Sequence, residues 1–436
     1  MGLVAAYLAA SRGHRGVVLE KEGRVGGLLR TECVEDYCFD AGGSHIVFSR
    51  KRELLEFLIN AAGGRTQVIE HVRDTRIYYR GIYLRYPFEN GIYMLSPEER
   101  LAILRSVVEA YIARATGAAS KPKSFLEWIV AVFGREIAER YLVPYNEKLW
   151  KRPLDMVTTE WIGGRVPNPP IEDVMRSAVG LPTHGYKHQL VFYYPAKGGI
   201  ESLARGLESM VVRAGGSIRV SCPVKKIEPC GESCVAVDSA CGSESFNLVI
   251  NTAPLPELVK LLPRRLRSDL EPLASSLDYN SLYVIGVGGI GTGVPYHWVY
   301  IPQREIPFHR IGILSNYSPS MAPRGRVSII AEVSVNPREG LRMGEQSLAR
   351  ATVEALEDMG LLKRGGAEVV EVWRWSYAYV VYTRGVSLAA ERIVEELRAL
   401  GIVSTGRFGS WSYLNMDGVI DRVRMDMEVV LGGATS

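Results

Sequence analysis

The chain has 436 residues, too many for one hydrophobic core, so two or three structural domains are expected. Its 47% hydrophobic and 23% charged fractions describe an ordinary globular protein, and a net charge of +4 gives no case for a nucleic-acid partner. No run approaches the ~20 consecutive apolar residues of a membrane-spanning helix.

Residues 2–10 (GLVAAYLAA) read as a helix of small residues suited to lie on a sheet. Gly13-His14-Arg15-Gly16 turns the chain into a short buried strand, Val17-Val18-Leu19, tipped by Glu20. The glycine-rich segment GRVGGLLRT (23–31) follows. A small-residue helix, a strand and a terminal acid are the second and third parts of a dinucleotide-binding βαβ unit, in which the acid accepts hydrogen bonds from the adenosine ribose. Gly2 stands as the last glycine of a G-x-G-x-x-G run, and Met1 is expected to be an internal methionine of it.

Residues 33–40 suggest a hairpin, followed by Ala41-Gly42-Gly43-Ser44-His45, a helix over 51–62 and short strands over 66–86. Ser96-Pro97-Glu98-Glu99 and Ser124-Phe125-Leu126-Glu127 are capping boxes that open helices within a helical insertion. Lys197-Gly198-Gly199 starts an amphipathic helix to about residue 214, and strands follow at 218–220, 235–237 and 248–251. From 281 to 335 the pattern is strand after strand, completed by a helix (345–359) and a strand (369–379). The last forty residues read as strand, turn and helix.

The six cysteines (33, 38, 222, 230, 234, 241) contain no C-x-x-C pair and, with the seven histidines, no metal-ligand spacing. They are expected to be reduced, partly buried thiols of a cytoplasmic protein. Cys33/Cys38 and Cys230/Cys234 could bridge a hairpin and a turn in an oxidising or hyperthermophilic setting.

Two groups of residues could carry chemistry. Gly26 and Gly27 let backbone approach a pyrophosphate or flavin ring, and Arg24 can contact phosphate. In the second half, Trp298, Tyr300, Arg310, Tyr317, Tyr379, Arg407 and Tyr413 lie on predicted strands or at their ends. Arginine offers a fixed fork of donors for phosphate and tyrosine a directed hydroxyl, although each residue taken singly is a common half-buried strand residue. His45 is a thin acid–base candidate, and no Ser–His–Asp or paired-carboxylate pattern stands out. That combination points to a cofactor carrying the chemistry.

With these residues in view, the chain resembles the UDP-galactopyranose mutase family, its eukaryotic-type members most, within the flavin amine oxidase and protoporphyrinogen oxidase superfamily. The likeness rests on GRVGGLLRT (23–31), GSHIVFS (43–49), RYPFENGI (85–92), PYNEKLW (144–150), EWIGGRVPNP (160–169), YPAKGGIESLA (194–204), HWVYIP (297–302), FHRIGILSNYSP (308–319) and GRFGSWSYLNMD (406–417). It implies an α/β fold: a Rossmann-like FAD-binding domain (1–65, 195–268, 395–436) whose first strand is missing, a helical domain (92–180), and an antiparallel-sheet substrate domain (66–91, 269–394).

The resemblance further implies isomerisation of UDP-galactopyranose to UDP-galactofuranose through a reduced-flavin N5–sugar adduct, with FAD as cofactor and NAD(P)H as a possible reductant. Arg165 and Arg310 would hold the substrate diphosphate with hydroxyls of Tyr317, Tyr379 and Tyr413, and Arg407 would sit at the flavin–sugar junction. Trp298 and Tyr300 would face the galactose. Gly43, Ser44 and His45 would lie against the flavin, and Phe48, Tyr86, Phe88, Tyr145, Asn146 and Trp150 would line the uridine pocket. FAD would be held by Gly2, Glu20, Arg24, Gly26, Gly27, Leu28, Val224, Gly406, Arg407, Asn415 and Met416, and Arg73 with Thr75 would meet the nicotinamide. Glu89 stands where that pattern has glutamine, and Gln189 where asparagine is usual. This form of the chain is expected to bind FAD poorly. The rival readings are an FAD-dependent amine oxidase or protoporphyrinogen oxidase-like oxidoreductase, and an inactive chain; a homo-oligomer is left open.

Overall fold

Two pairs of parallel strands form the first layer: Val17–Leu19 runs beside Ser217–Arg219, and Val249–Asn251 beside Ile402–Ser404. In this computed structural model, residues 1–163, 166, 168–181, 183, 191–231 and 233–432 are described. The helix Gly2–Ala10 packs against the helices Glu201–Arg213 and Met416–Gly432 and buries Leu3, Val4, Ala5, Ala6 and Ala10. The turn before Val17–Leu19 also lies close to this helix: a Cβ on Gly16 would lie 3.1 Å from the Ala6 carbonyl oxygen. Helix Arg52–Ala61 likewise meets Glu201–Arg213 so closely that a Cβ on Gly206 would fall 1.6 Å from the Ala61 oxygen.

The predicted hairpin forms from Thr31–Val34 and Tyr37–Asp40. It docks through its aromatic rings onto the strand Tyr279–Gly291, where a Cβ on Gly286 or Gly288 would strike the Phe39 or Tyr37 ring. The cysteines overturn the expectation of free thiols, because all six pair: Cys33–Cys38, Cys222–Cys241 and Cys230–Cys234. Strand pairing is the reason. Cys33 lies opposite Cys38 in the hairpin, and the three-stranded meander of Val224–Gly231, Cys234–Ser239 and Gly242–Phe246 brings the other four together.

The large sheet has seven strands in the order Leu362–Val380, Tyr279–Gly291, Val327–Val335, Arg310–Ile313, Trp298–Tyr300, Thr75–Tyr79, Ile82–Arg85. It is mixed rather than wholly antiparallel, because Trp298–Tyr300 pairs in parallel with Thr75–Tyr79. The sheet's central strands are buried on both faces. Helix Glu345–Asp358 covers one face through Leu348 and Leu356, and the other turns toward the hairpin and the layer of parallel strand pairs.

The serine half of each predicted capping box forms, while Glu99 turns to Arg140 (2.9 Å) and Glu127 Oε2 accepts from Lys123 N (2.7 Å) instead of the cap amide. Ser96 Oγ accepts from Glu99 N (3.3 Å) to open helix Pro97–Ala115, and Ser124 Oγ accepts from Glu127 N (3.2 Å) to open Phe125–Ile137. Val143–Trp150 and Ile171–Ala178 complete this helical part among the described residues. No described helix is long and apolar enough to cross a membrane.

Candidate active site

A cavity of about 1880 Å³ runs from the parallel strand pairs to the large sheet. Single-ligand pockets are usually ~300–1,000 Å³, so this space can take a large cofactor and a second ligand end to end.

The first end is built from backbone. Gly2, Glu20, Gly26, Gly27, Leu28 and Val224 line it, with Thr252 beside Gly2. Helix Gly2–Ala10 begins there without a side-chain cap, which leaves its first-turn N–H groups to a ligand. Gly26 has φ 121°, and a Cβ on it would lie 2.8 Å from the Leu29 oxygen; beside Gly27 the space is open. Gly42 closes the floor, since its Cβ would fall 2.0 Å from the Leu28 oxygen. A carboxylate oxygen of Glu20 accepts from Glu22 N at 2.9 Å, which leaves its other acceptor sites for a ribose. An uncapped helix start, a glycine turn with an open face and a strand-end acid suit a dinucleotide. Arg24, expected at a phosphate, does not line the cavity: it meets Glu32, and Glu201 lies 3.8 Å away. Gly406 is also outside the lining, because it abuts Met1.

The middle is lined by Gly43, Ser44, His45, Arg407, Asn415 and Met416. His45 Nδ1 lies 2.8 Å from the Gly43 oxygen, so Nδ1 carries the proton and Nε2 is left as an acceptor. Burial pushes the His45 pKa down to about 4 and keeps the ring neutral. Arg407 donates to the carbonyls of Leu414 and Ala378 and lies 4.6 Å from the centre of the Tyr413 ring.

At the far end, Arg310 faces Glu332, a wholly buried carboxylate on the neighbouring strand. Arg310 Nε donates to Oε1 at 3.0 Å and Nη2 to Oε2 at 2.7 Å. Glu332 also accepts from Ser44 N (3.0 Å) and from the Tyr379 hydroxyl (3.2 Å). Burial opposes both charges, but each offsets the other: the Arg310 pKa lies well above its usual value and that of Glu332 below. Behind them is His309, buried, with no hydrogen-bond partner on either ring nitrogen among the described residues and a pKa that burial pushes down to about 3.

Aromatic rings wall this end. Tyr300 lies 5.2 Å from Tyr86 and 5.3 Å from Tyr145, and Phe88 stacks on Tyr141 at 5.2 Å. Trp298 Nε1 donates to the Tyr300 hydroxyl at 3.2 Å, and Phe48, Glu89 and Asn146 complete the expected lining. The Arg73 guanidinium sits between Tyr86 (4.8 Å) and Trp298 (4.6 Å) and donates to Thr75 Oγ1 at 2.9 Å.

Tyr145 and Asn146 are held by helix Val143–Trp150, which a strand residue fastens from behind. Asn280 Nδ2 donates to the Leu149 and Trp150 carbonyls, and Arg152 pairs with buried Asp278. Asn280 is also the register partner of Tyr379, so one strand sets both sides of the pocket.

Two expected lining residues stand one layer back. Trp150 is fully buried and donates to Asn146 Oδ1 at 3.2 Å, and Tyr317 is fully buried with its hydroxyl 2.9 Å from Ser44 Oγ. Arg165 and Gln189 lie outside the described residues. Glu332 has no role in the sequence reading. Its signal is present there as a lone acid within the apolar strand Val327–Val335. Arg30, which lines the cavity below Trp375, is likewise without a role in that reading.

The model of a family described as flavin containing amine oxidoreductase matches residues 2–359. Among solved structures the chain is similar to a reduced UDP-galactopyranose mutase (TM-score 0.88, 24% identity, covering 100% of this chain and 92% of that one). It is also similar to a putative protoporphyrinogen oxidase from Exiguobacterium sp. 255-15 (0.73, 19%, 98% and 96%). A putrescine oxidase bound to putrescine follows (0.64, 14%, 98% and 96%). At these identities the similarity speaks for the fold.

Proposed function

The chain belongs to the flavin containing amine oxidoreductase family, and from that membership we propose that it is an FAD-dependent isomerase interconverting UDP-galactopyranose and UDP-galactofuranose, of the eukaryotic-type sequence pattern. The observation that carries the reading is the donor set at the end of the cavity remote from the dinucleotide cradle. There Arg310, Tyr379 and Tyr413 line one space with aromatic rings, and Arg407 stands beside Tyr413 where this end meets the middle of the cavity. A diphosphate requires directed N–H and O–H donors, and a cationic amine would be repelled by the arginines. The sequence segments particular to the mutases, RYPFENGI, PYNEKLW and GRFGSWSYLNMD, support the same reading.

Reduced FAD, when bound, supplies the nucleophile for the sugar's anomeric carbon. The chain's own residues bind, orient and keep the leaving group. Arg310 contacts the diphosphate through Nη1, which makes no hydrogen bond among the described residues while Nε and Nη2 stay on Glu332. Tyr379 and Tyr413 direct hydroxyls at it, so the departing UDP is stabilised and retained. Arg407, fixed by two backbone carbonyls, orients the sugar beside Tyr413. His45 stays neutral and offers Nε2 as an acceptor. Tyr86, Phe88 and Tyr145 stack on the base and exclude water, and Arg73 with Thr75 receives a nicotinamide reductant.

The test is chromatography of UDP-sugar isomers after incubation with dithionite-reduced, flavin-loaded protein. Interconversion is expected under reduction and not with oxidised flavin. If UDP leaves the flavin spectrum unperturbed and no isomer forms, the oxidase reading takes its place.

A further inference from the structure

We propose that Glu332 is a positioning residue that couples anion binding at Arg310 and Tyr379 to the glycine-rich loop of residues 43–45; this rests on Arg310 and Tyr379 being diphosphate ligands. The carboxylate has two oxygens and four donors. Oε1 takes Arg310 Nε and the Ser44 amide, and Oε2 takes Arg310 Nη2 and the Tyr379 hydroxyl. It is wholly buried, and water does not replace a lost donor. It also crowds the loop, since a Cβ added at Gly43 would sit 3.4 Å from Oε2.

Tyr379 has one proton, and that proton points at Glu332. A phosphate oxygen is an acceptor, so Tyr379 can serve it only by withdrawing the proton from Oε2. The buried carboxylate then leans harder on its remaining donors, Arg310 and the Ser44 amide. Anion binding at one end of the cavity thereby tightens the loop that carries His45, whose Nδ1–H donates to the Gly43 carbonyl. By linkage, a loosened loop weakens the anion site by the same factor. A glutamine at 332 cannot do this: one of its two terminal atoms is an NH₂ group that would face N–H or O–H donors.

The test is hydrogen exchange of the peptide covering residues 41–48 in flavin-loaded protein, with and without inorganic pyrophosphate or UDP. In the wild type either ligand slows exchange there. In Tyr379→Phe the peptide is already slow without ligand and changes little on binding. In Glu332→Gln exchange is fast in both states, and Glu332→Asp, whose shorter arm cannot span Arg310 and Ser44 together, behaves alike if the glutamine variant fails to fold. Unchanged exchange in the wild type with pyrophosphate bound, or wild-type slowing in Glu332→Gln, overturns the coupling. So does failure of both probes to bind. Pyrophosphate reports on Arg310 whatever the nucleoside, so a response to pyrophosphate without one to UDP overturns the nucleotide assignment and leaves the coupling standing.

Discussion

The Arg310 guanidinium and the Glu332 carboxylate form a two-point pair across adjacent strands, Nε to Oε1 at 3.0 Å and Nη2 to Oε2 at 2.7 Å. Glu332 is wholly buried, so deleting its partner strands a charge at a cost of about 3–5 kcal/mol. Arg310→Ala should therefore lower the melting temperature as well as remove nearly all turnover. Arg310→Lys keeps the charge and loses the fork. It should retain flavin, as read by absorbance after gel filtration, while turnover falls by roughly 10²-fold or more. Near wild-type rates in either variant would remove Arg310 from the diphosphate site.

The histidines make stability depend on pH. Burial above all pushes His45 and His297 down to about 4 and His309 to about 3, so all three are neutral in the folded chain. Unfolded histidine takes its proton near pH ~6.5. Between about 6.5 and about 4 the unfolded state binds more protons, and stability falls as pH falls through that window. Asp40 works the other way: burial raises it to about 6, so its folded form binds a proton first. Three groups oppose one, and the melting temperature should drop between about pH 7 and pH 5. His309→Phe should make the slope shallower. A flat profile would contradict the neutral histidines.

Gly42 holds the turn at Leu28 and the loop at Gly43 in backbone contact, with room for no side chain: its Cβ would lie 2.0 Å from a carbonyl oxygen. Gly42→Ala must move one of the two segments that line the cavity. It should cost at least ~1–3 kcal/mol in urea denaturation and leave the purified protein depleted of flavin. Full flavin retention would show that this contact does not shape the cofactor end.

Glu89 is buried among the rings at the far end, and a carboxylate accepts but does not donate unless it is protonated. Uracil presents a carbonyl acceptor as well as an N–H. Glu89→Gln adds a donor and should tighten UDP binding by about 1 kcal/mol, measured by titration against flavin absorbance. Weaker binding in the glutamine variant would argue that the base is not uracil.

Local signals in the sequence were enough for helix caps, the hairpin and the glycine turn, but not for the helices Leu255–Leu261, Arg264–Ser276 and Val386–Ala399, which the sequence reading lacks. The helix starts at Ser96 and Ser124 follow from side-chain capping of nearby amides, and the strand-end Glu20 with Gly26 and Gly27 lie close in the chain and come to line one end of the cavity. Arg24 belongs to the same segment, yet Glu32 and Glu201 claim it, and Glu201 is brought there from a distant helix.

What the sequence determined by itself was therefore whatever depends on neighbours within a few residues: helix caps, the hairpin, the glycine turn, and the residue types available for an anion. The tertiary structure decided what depends on strand order. A parallel pairing of Trp298–Tyr300 with Thr75–Tyr79 makes the sheet mixed, and meander register joins Cys222 to Cys241. Register alone sets Glu332 opposite Arg310, and the fold then brings Tyr379 and the Ser44 amide onto the same carboxylate. No local pattern encodes that meeting, because its members are separated by up to hundreds of residues and only the folded chain gives them a common acceptor.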